Sequence, residues 1–416
     1  MAARWASLIL FTAAAGCADS TEPVRLETHA VSPQVLWAGG EVNVQSTVFG
    51  RGDIPQLLAA GDTLDPLRWI ERGAVYRLPS TPSQMLPLQL LHEGSVYDLG
   101  EVEVVGFRER VEAPALHSQN PVPFPWNHPR WVLGYDAQGS VALLDVSTGR
   151  ITSYPQIQQL GGYAPGLSVN PGEIVVVINR DSVAVWALGN QPGELDRAMV
   201  GHNWRHVWRL GAGAWLSTAH HQSWTQDSTG QRIFYGLESP WAIAFSSRRD
   251  RAVMILSASP LGLPVFDPRT ADTVYTVEGI NGATGAVFSR DGSTLFLQQW
   301  GATMRIDATD GTVLNTHTHS TKGGGALVID PSGNRVYSIG DGGGLIEDRV
   351  LTVTVLDAAT LGVLGRMESP VTGKCSLVYC VAVLREDTQI LYVVQGGSLT
   401  TTPGEIITFD LLAESP

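Results

Sequence analysis

The sequence predicts an all-β protein: an N-terminal β-sandwich followed by a seven-bladed β-propeller. The first observation is the stretch Gly285 to Leu297 with its continuation Met304 to Val313. It reads as strand, Asp-Gly turn, strand, loop, strand ending in Asp307, Thr-Asp-Gly turn and strand. Its apolar runs are short, β-branched and aromatic, and its turns carry Gly and Asp. The second is recurrence. Strand-end markers fall at Asp145, Ala187, Asp227, Asp267, Asp307, Asp357 and Asp410, in steps of 42, 40, 40, 40, 50 and 53 residues. One antiparallel sheet of four strands per period follows. The third is composition: 45 Gly and 24 Pro in 416 residues suit a turn-rich chain, and 44% hydrophobic residues exclude a largely disordered one.

In chain order, residues 1–17 read as an export signal. Arg4 supplies a positive start, and Trp5 to Ala15 is an apolar run too short to span a bilayer as a helix. Ala14-Ala15-Gly16-Cys17 then resembles a bacterial lipobox, which implies lipidation of Cys17 and a chain exported to the bacterial cell envelope. Residues 18–24 are a polar tether. Residues 25–107 alternate apolar and polar positions over several short strands, as in Glu41 to Gly50 and Gly94 to Val105, and predict the sandwich. Val31-Ser32-Pro33, Ala38-Gly39-Gly40 and Phe49-Gly50 resemble the IPT/TIG immunoglobulin-like family, whose members serve as spacers or interaction modules.

Residues 108–130 lose the strand pattern. Pro114, Pro121, Pro123, Pro125 and Pro129 make them a stiff, extended connector. Residues 131–416 carry the repeat. A second marker supports the first: Val169-Asn170-Pro171-Gly172, Phe245-Ser246-Ser247-Arg248, Phe288-Ser289-Arg290-Asp291-Gly292 and Ile329-Asp330-Pro331-Ser332-Gly333 each precede a strand at matching offsets. Sheets that cannot bury both faces alone are expected to pack face to face around an axis. Six or eight blades remain open, because the first inner strand is hard to place within the connector. With Val175 to Asn179 and Ile390 to Val394 as its characteristic strands, the region resembles the YVTN and WD-like propeller families.

The net charge of −13 and the absence of any basic run exclude nucleic acid as a partner. Of three cysteines, Cys17 is assigned to lipid, which leaves Cys375 and Cys380 as an expected disulfide in an oxidising compartment.

Within a four-stranded blade, second-to-third loops and inter-blade connections share one face. That rule groups His202, Trp204 and His206 in one connection, His220, His221 and Trp224 in a second-to-third loop, and His317 and His319 at another connection, with Trp300 near them. His317 and His319, two apart on a strand, are expected to point the same way. Imidazoles suit metal ligation or general base chemistry, so a divalent metal of unassigned identity could be held there, although no His-Glu-x-x-His motif is present. The competing reading is packing between blades. The aspartates at strand ends are expected to accept hydrogen bonds from their own turns. The expected function is therefore a non-enzymatic, envelope-anchored binding protein that needs no cofactor, with a protein or glycan as ligand. The alternative is a propeller hydrolase or lactonase, with Asp341 or Glu347 assisting a metal.

Overall fold

The computed structural model describes residues 29–47, 49, 54–113, 122–124, 131–136, 138–158, 166–167, 170, 173–178, 182–188, 192–199, 206–209, 215–219, 222–226, 232–234, 242–248, 250–255, 262–270, 272–280, 282–299, 301–319, 325–341, 350–372, 380–385, 389–395 and 404–412. Among them the protein is all-β, with no helix and with nine separate sheets. Residues 1–28, with the expected export signal, tether and Cys17, lie outside the described residues.

The first nine strands are β1 (His29–Ser32), β2 (Val35–Trp37), β3 (Glu41–Ser46), β4 (Gln56–Ala59), β5 (Asp62–Leu64), β6 (Arg68–Ile70), β7 (Gly73–Arg77), β8 (Gln84–His92) and β9 (Ser95–Val105). They form a sheet in the order β1-β3-β7-β6 and a second in the order β2-β9-β8-β4-β5. Alternation puts Val42, Val44, Ala74 and Tyr76 of one sheet in the same buried cluster as Leu57, Leu88, Leu90, Val102 and Val104 of the other. The Tyr76 hydroxyl, carried into that core, donates to the Pro55 carbonyl at 2.8 Å.

The described residues of the stretch expected as a connector, 108–113 and 122–124, belong to strands. β10 (Phe107–Ala113) pairs antiparallel with Gly404–Asp410 near the C-terminus, and Val122–Phe124 pairs with Trp131–Tyr135 despite Pro123. Pro is tolerated there because Val122–Phe124 is an edge strand. β10 thus completes a sheet whose other strands are Cys380–Arg385, Ile390–Gln395 and Gly404–Asp410.

Six further four-stranded antiparallel sheets run in sequence order, from Val122–Phe124 through Val363–Thr372. Counting these as first to sixth and the β10-containing sheet as last, the marker residues sit at or just past the end of each third strand. Asp145 closes Ser140–Asp145, Asp307 closes Ala302–Asp307, Asp357 closes Val350–Asp357 and Asp410 closes Gly404–Asp410. Neighbouring sheets share buried clusters. Val175, Val183 and Val185 of the second meet Val207 of the third, and Phe296 of the fifth meets Leu327, Val336 and Leu356 of the sixth. Val132, Leu144 and Val146 of the first meet Val383, Tyr392 and Ile406 of the last.

The N-terminal pair of sheets is not held apart from the others. Its core is continuous with Tyr337, Ile339, Val353 and Met367 of the sixth sheet and with Leu391 and Phe409 of the last. The Arg366 N–H donates to the Ala38 carbonyl at 3.0 Å, and the Ser80 hydroxyl to the Arg366 carbonyl at 3.2 Å. These bonds occupy part of the free edge of the outer strand Val363–Thr372, an edge that would otherwise invite pairing.

Candidate functional site

Two ends of the repeated sheets differ in chemistry, and the strand-end turns come first. The Asp267, Asp307 and Asp357 backbone N–H groups each donate to a carbonyl five residues on. Their carboxylates fold back over the same turn: Asp145 Oδ1 accepts from Ser147 N–H, Asp267 from Arg269, Asp307 from Thr309 and Asp357 from Ala359 and Thr360. The first-to-second turns use another set to the same end. Ser246 Oγ accepts from Arg251 N–H, Ser289 Oγ from Thr294 and Asp330 Oδ1 from Arg335. Asp291 accepts from the Ser289 hydroxyl and from the N–H and hydroxyl of Ser293, bonds that hold its carboxyl down at about 2. Adjacent turns also touch: the Ser247 hydroxyl donates to the Arg290 carbonyl, and the Arg290 guanidinium to the Pro331 carbonyl. These aspartates are turn-builders, as their spacing predicts.

The opposite end carries the histidines. Ala302 pairs with Thr318 and Ile306 with Val313, so the exit of the outer strand Val313–Thr318 lies beside the Gly301 turn. His319 N–H donates to the Gly301 carbonyl at 2.8 Å. Along the strand Thr316 and Thr318 are exposed, while Asn315, His317 and His319 are half-buried on the other face. The His317 and His319 rings stand 4.8 Å apart, edge to face at 81°. They do point the same way. His319 Nε2 lies 2.7 Å from Thr303 Oγ1 and 3.4 Å from Ser338 Oγ, so it bridges the fifth and sixth sheets. Thr303 and Ser338 are buried, as is Gln298. Gln298 Nε2 donates across the same seam to the Ile339 carbonyl at 3.4 Å, while its Oε1 has no hydrogen-bond partner among the described residues. Burial lowers the His317 imidazole below its ordinary value. Burial, then the charges of His317 and Arg366, bring His319 down to about 4. At neutral pH His319 is thus an uncharged link between hydroxyls.

The remaining expected residues divide. His206 opens the strand His206–Arg209 opposite Thr218, and Trp224 sits inside Gln222–Gln226 opposite Ser217 and Phe234. The loop rule places both in loops. The ladder runs further than the sequence pattern suggests, because Ala219 pairs with Gln222 and draws Trp224 into the strand. Asp341, expected to begin a long loop, instead ends the strand Arg335–Asp341 opposite Leu351. Cys380 opens Cys380–Arg385 opposite Gln395. His202, Trp204, His220, His221, Trp300, Glu347 and Cys375 lie outside the described residues. Among the described residues, no three His, Cys, Asp or Glu side chains stand close enough to hold a metal ion together.

A cavity of about 210 Å³ lies between the last sheet and the first, floored by Val146, Ile390, Tyr392 and Ile406 and rimmed by Arg108 and Glu109. It is smaller than the roughly 300–1,000 Å³ usual for small-molecule sites. The hydroxyls of Thr303 and Ser338 had no signal in the sequence, since Thr and Ser in strands face solvent as often as seams. Compared with known proteins, the chain matches no family model and no curated relative.

Proposed function

We propose that the seven four-stranded sheets close into one ring, a seven-bladed β-propeller, in an envelope lipoprotein anchored through Cys17. The ring binds a protein or glycan ligand through the end that carries the histidines. The pairing of β10 with Gly404–Asp410 supports the ring: the last sheet takes its outer strand from residues just ahead of the first sheet, and the two sheets share the Val132, Leu144, Tyr392 and Ile406 cluster. A row of sheets with free ends gives no reason to tie the two ends together.

Binding is favoured over catalysis by how the described polar groups are used. The turn carboxylates are held by their own backbones, and His319 is committed to the seam. An acid or base needs a proton site within reach of a substrate. Half-buried His317, and with it His202, His220 and His221 outside the described residues, then act as contacts rather than reacting groups. The lipid anchor rests on the lipobox resemblance, and the sandwich and blades on the IPT/TIG and YVTN resemblances.

The test is a glycan array together with titration of purified envelope proteins, using the mature chain and its His221→Ala and His317→Ala variants. Saturable binding that either substitution weakens at an unchanged melting temperature supports the reading. Chelator-sensitive turnover of a lactone, lost in Asp341→Asn or Glu347→Gln, replaces it with a metal-assisted hydrolase.

A further inference from the structure

The end of the sandwich farthest from the blades combines exposed apolar side chains with the point where the chain enters. Ile54 is 63% exposed, Val96 60% and the large Trp69 53%. Strand register places them together. His29 pairs with Ser46, Gln45 with Gly73, and Ile70 with Gly73, so the start of β1 lies at the end that carries Trp69. Phe49, just past Ser46, packs edge to face on Trp69 at 5.8 Å. Leu91 pairs with both Gln56 and Val96, which brings Ile54 and Val96 to the same end, and the His29 and Tyr97 rings lie 5.1 Å apart. The docking residues Trp37, Ala38 and Gly106 are at the other end of β9, whose eleven residues span roughly 30 Å.

We propose that this tip rests on a lipid surface, with Trp69, Ile54 and Val96 inserted at the headgroup level. The proposal rests on the reading that Cys17 is lipidated. Eleven residues, Ala18 to Thr28, separate Cys17 from His29, and a chain of that length reaches at most about 40 Å. Acyl chains on Cys17 therefore hold this end near the bilayer, at high effective concentration, while the blades point away. Trp is the residue that favours the membrane interface, with an apolar body and a polar N–H. Among the described residues, the exposed charges around the tip, Glu71, Arg72 and Glu93, leave a net −1, so insertion rather than attraction to anionic lipid drives the contact.

The test uses the full chain with Cys17→Ala, which cannot be acylated, floated with vesicles of phosphatidylcholine alone and of phosphatidylcholine with phosphatidylglycerol. Binding is expected on both, insensitive to salt. It falls about tenfold or more when Ile54→Ser, Trp69→Ser and Val96→Ser are combined, because their apolar area no longer leaves water. Leu195→Ser with Val363→Ser, equally exposed but on the blades, leaves it unchanged. Absence of vesicle binding, or equal binding by the triple variant, overturns the proposal. So does a triple variant that turns a dimer into a monomer with vesicle binding intact, which makes a second copy the occupant. Loss of acylation would appear separately, in the mass of the wild-type protein, and leaves the vesicle result standing.

Discussion

Trp37 packs where a side chain on Gly365 would have to stand: a β-carbon added at Gly365 would lie 2.2 Å from Trp37 Cβ and 2.8 Å from its Cγ. The indole also meets Tyr337 edge to face at 6.1 Å and carries the Arg335 guanidinium 5.7 Å above it. The contact joins β2 to the outer strand of the sixth sheet, so the sandwich and that sheet share one packed core rather than a hinge.

Trp37→Ala is therefore expected to cost about 3–5 kcal/mol, and Gly365→Ala about 1–3 kcal/mol through overpacking. Urea unfolding followed by circular dichroism checks both. The wild type should show one transition, and Trp37→Ala should split it into two as the sandwich uncouples. A single transition at an unchanged midpoint in both variants would mean the interface contributes little to stability.

Two turn glycines give a sharper comparison. Gly149 and Gly311 both adopt positive φ, +67° and +84°. At Gly149 an added β-carbon meets nothing within 4 Å, whereas at Gly311 it would lie 2.7 Å from the Tyr275 ring. Gly149→Ala should cost about 1 kcal/mol, the strain of a left-handed residue alone. Gly311→Ala should cost clearly more, because Tyr275 must also move. Equal losses in thermal unfolding would show that Tyr275 yields freely.

The turn chemistry was legible in the sequence because its signals are local. Asp307 and Ser289 act on backbone groups within five residues, and a repeat of such turns exposes the strand spacing. The seam and the dock were not legible. Thr303 and Ser338 meet His319 across two sheets, and Trp37 meets Gly365 from the far end of the chain. Such pairings depend on how sheets stack, which period alone does not carry. His206, Trp224 and Asp341 were misplaced for a related reason: ladders extend until a neighbour stops pairing, and polar residues near their ends look like loop.

Phe409 tests the tie between the last of the repeated sheets and β10, just ahead of the first. It is fully buried and packs edge to face on half-buried Phe107 of β10 at 6.1 Å, while Arg110 and Glu405 pair alongside. Phe409→Ala should cost about 3–5 kcal/mol, and Phe107→Ala less, since less of its ring leaves water on folding. Hydrogen exchange should show Arg110 to Ala113 and Glu405 to Phe409 losing protection together in Phe409→Ala. Protection lost in one strand only would mean that β10 is not held by this pairing.

The histidine seam predicts the pH dependence. His319 is neutral in the folded chain down to about pH 4, whereas an unfolded histidine takes a proton near pH 6.5. Between those values the unfolded state binds more protons, so stability falls as pH falls from 6.5 to 4 and is unaffected by this group above 6.5. With the ring still partly open to solvent, a loss of about 2 kcal/mol is expected across that window. The charged groups near the ring act in the same direction, since His317 and Arg366 both oppose a positive charge on it, and Arg366 itself pairs with Glu368 at 2.9 Å. His319→Gln keeps a side chain able to reach Thr303 and Ser338 but cannot titrate. Its unfolding midpoint should decline clearly less between pH 7 and 4 than that of the wild type, with His317, also lowered by burial, carrying the remainder. NMR titration of the ring protons gives the direct check, and a His319 that titrates near 6.5 would mean the ring is solvated rather than locked between the fifth and sixth sheets.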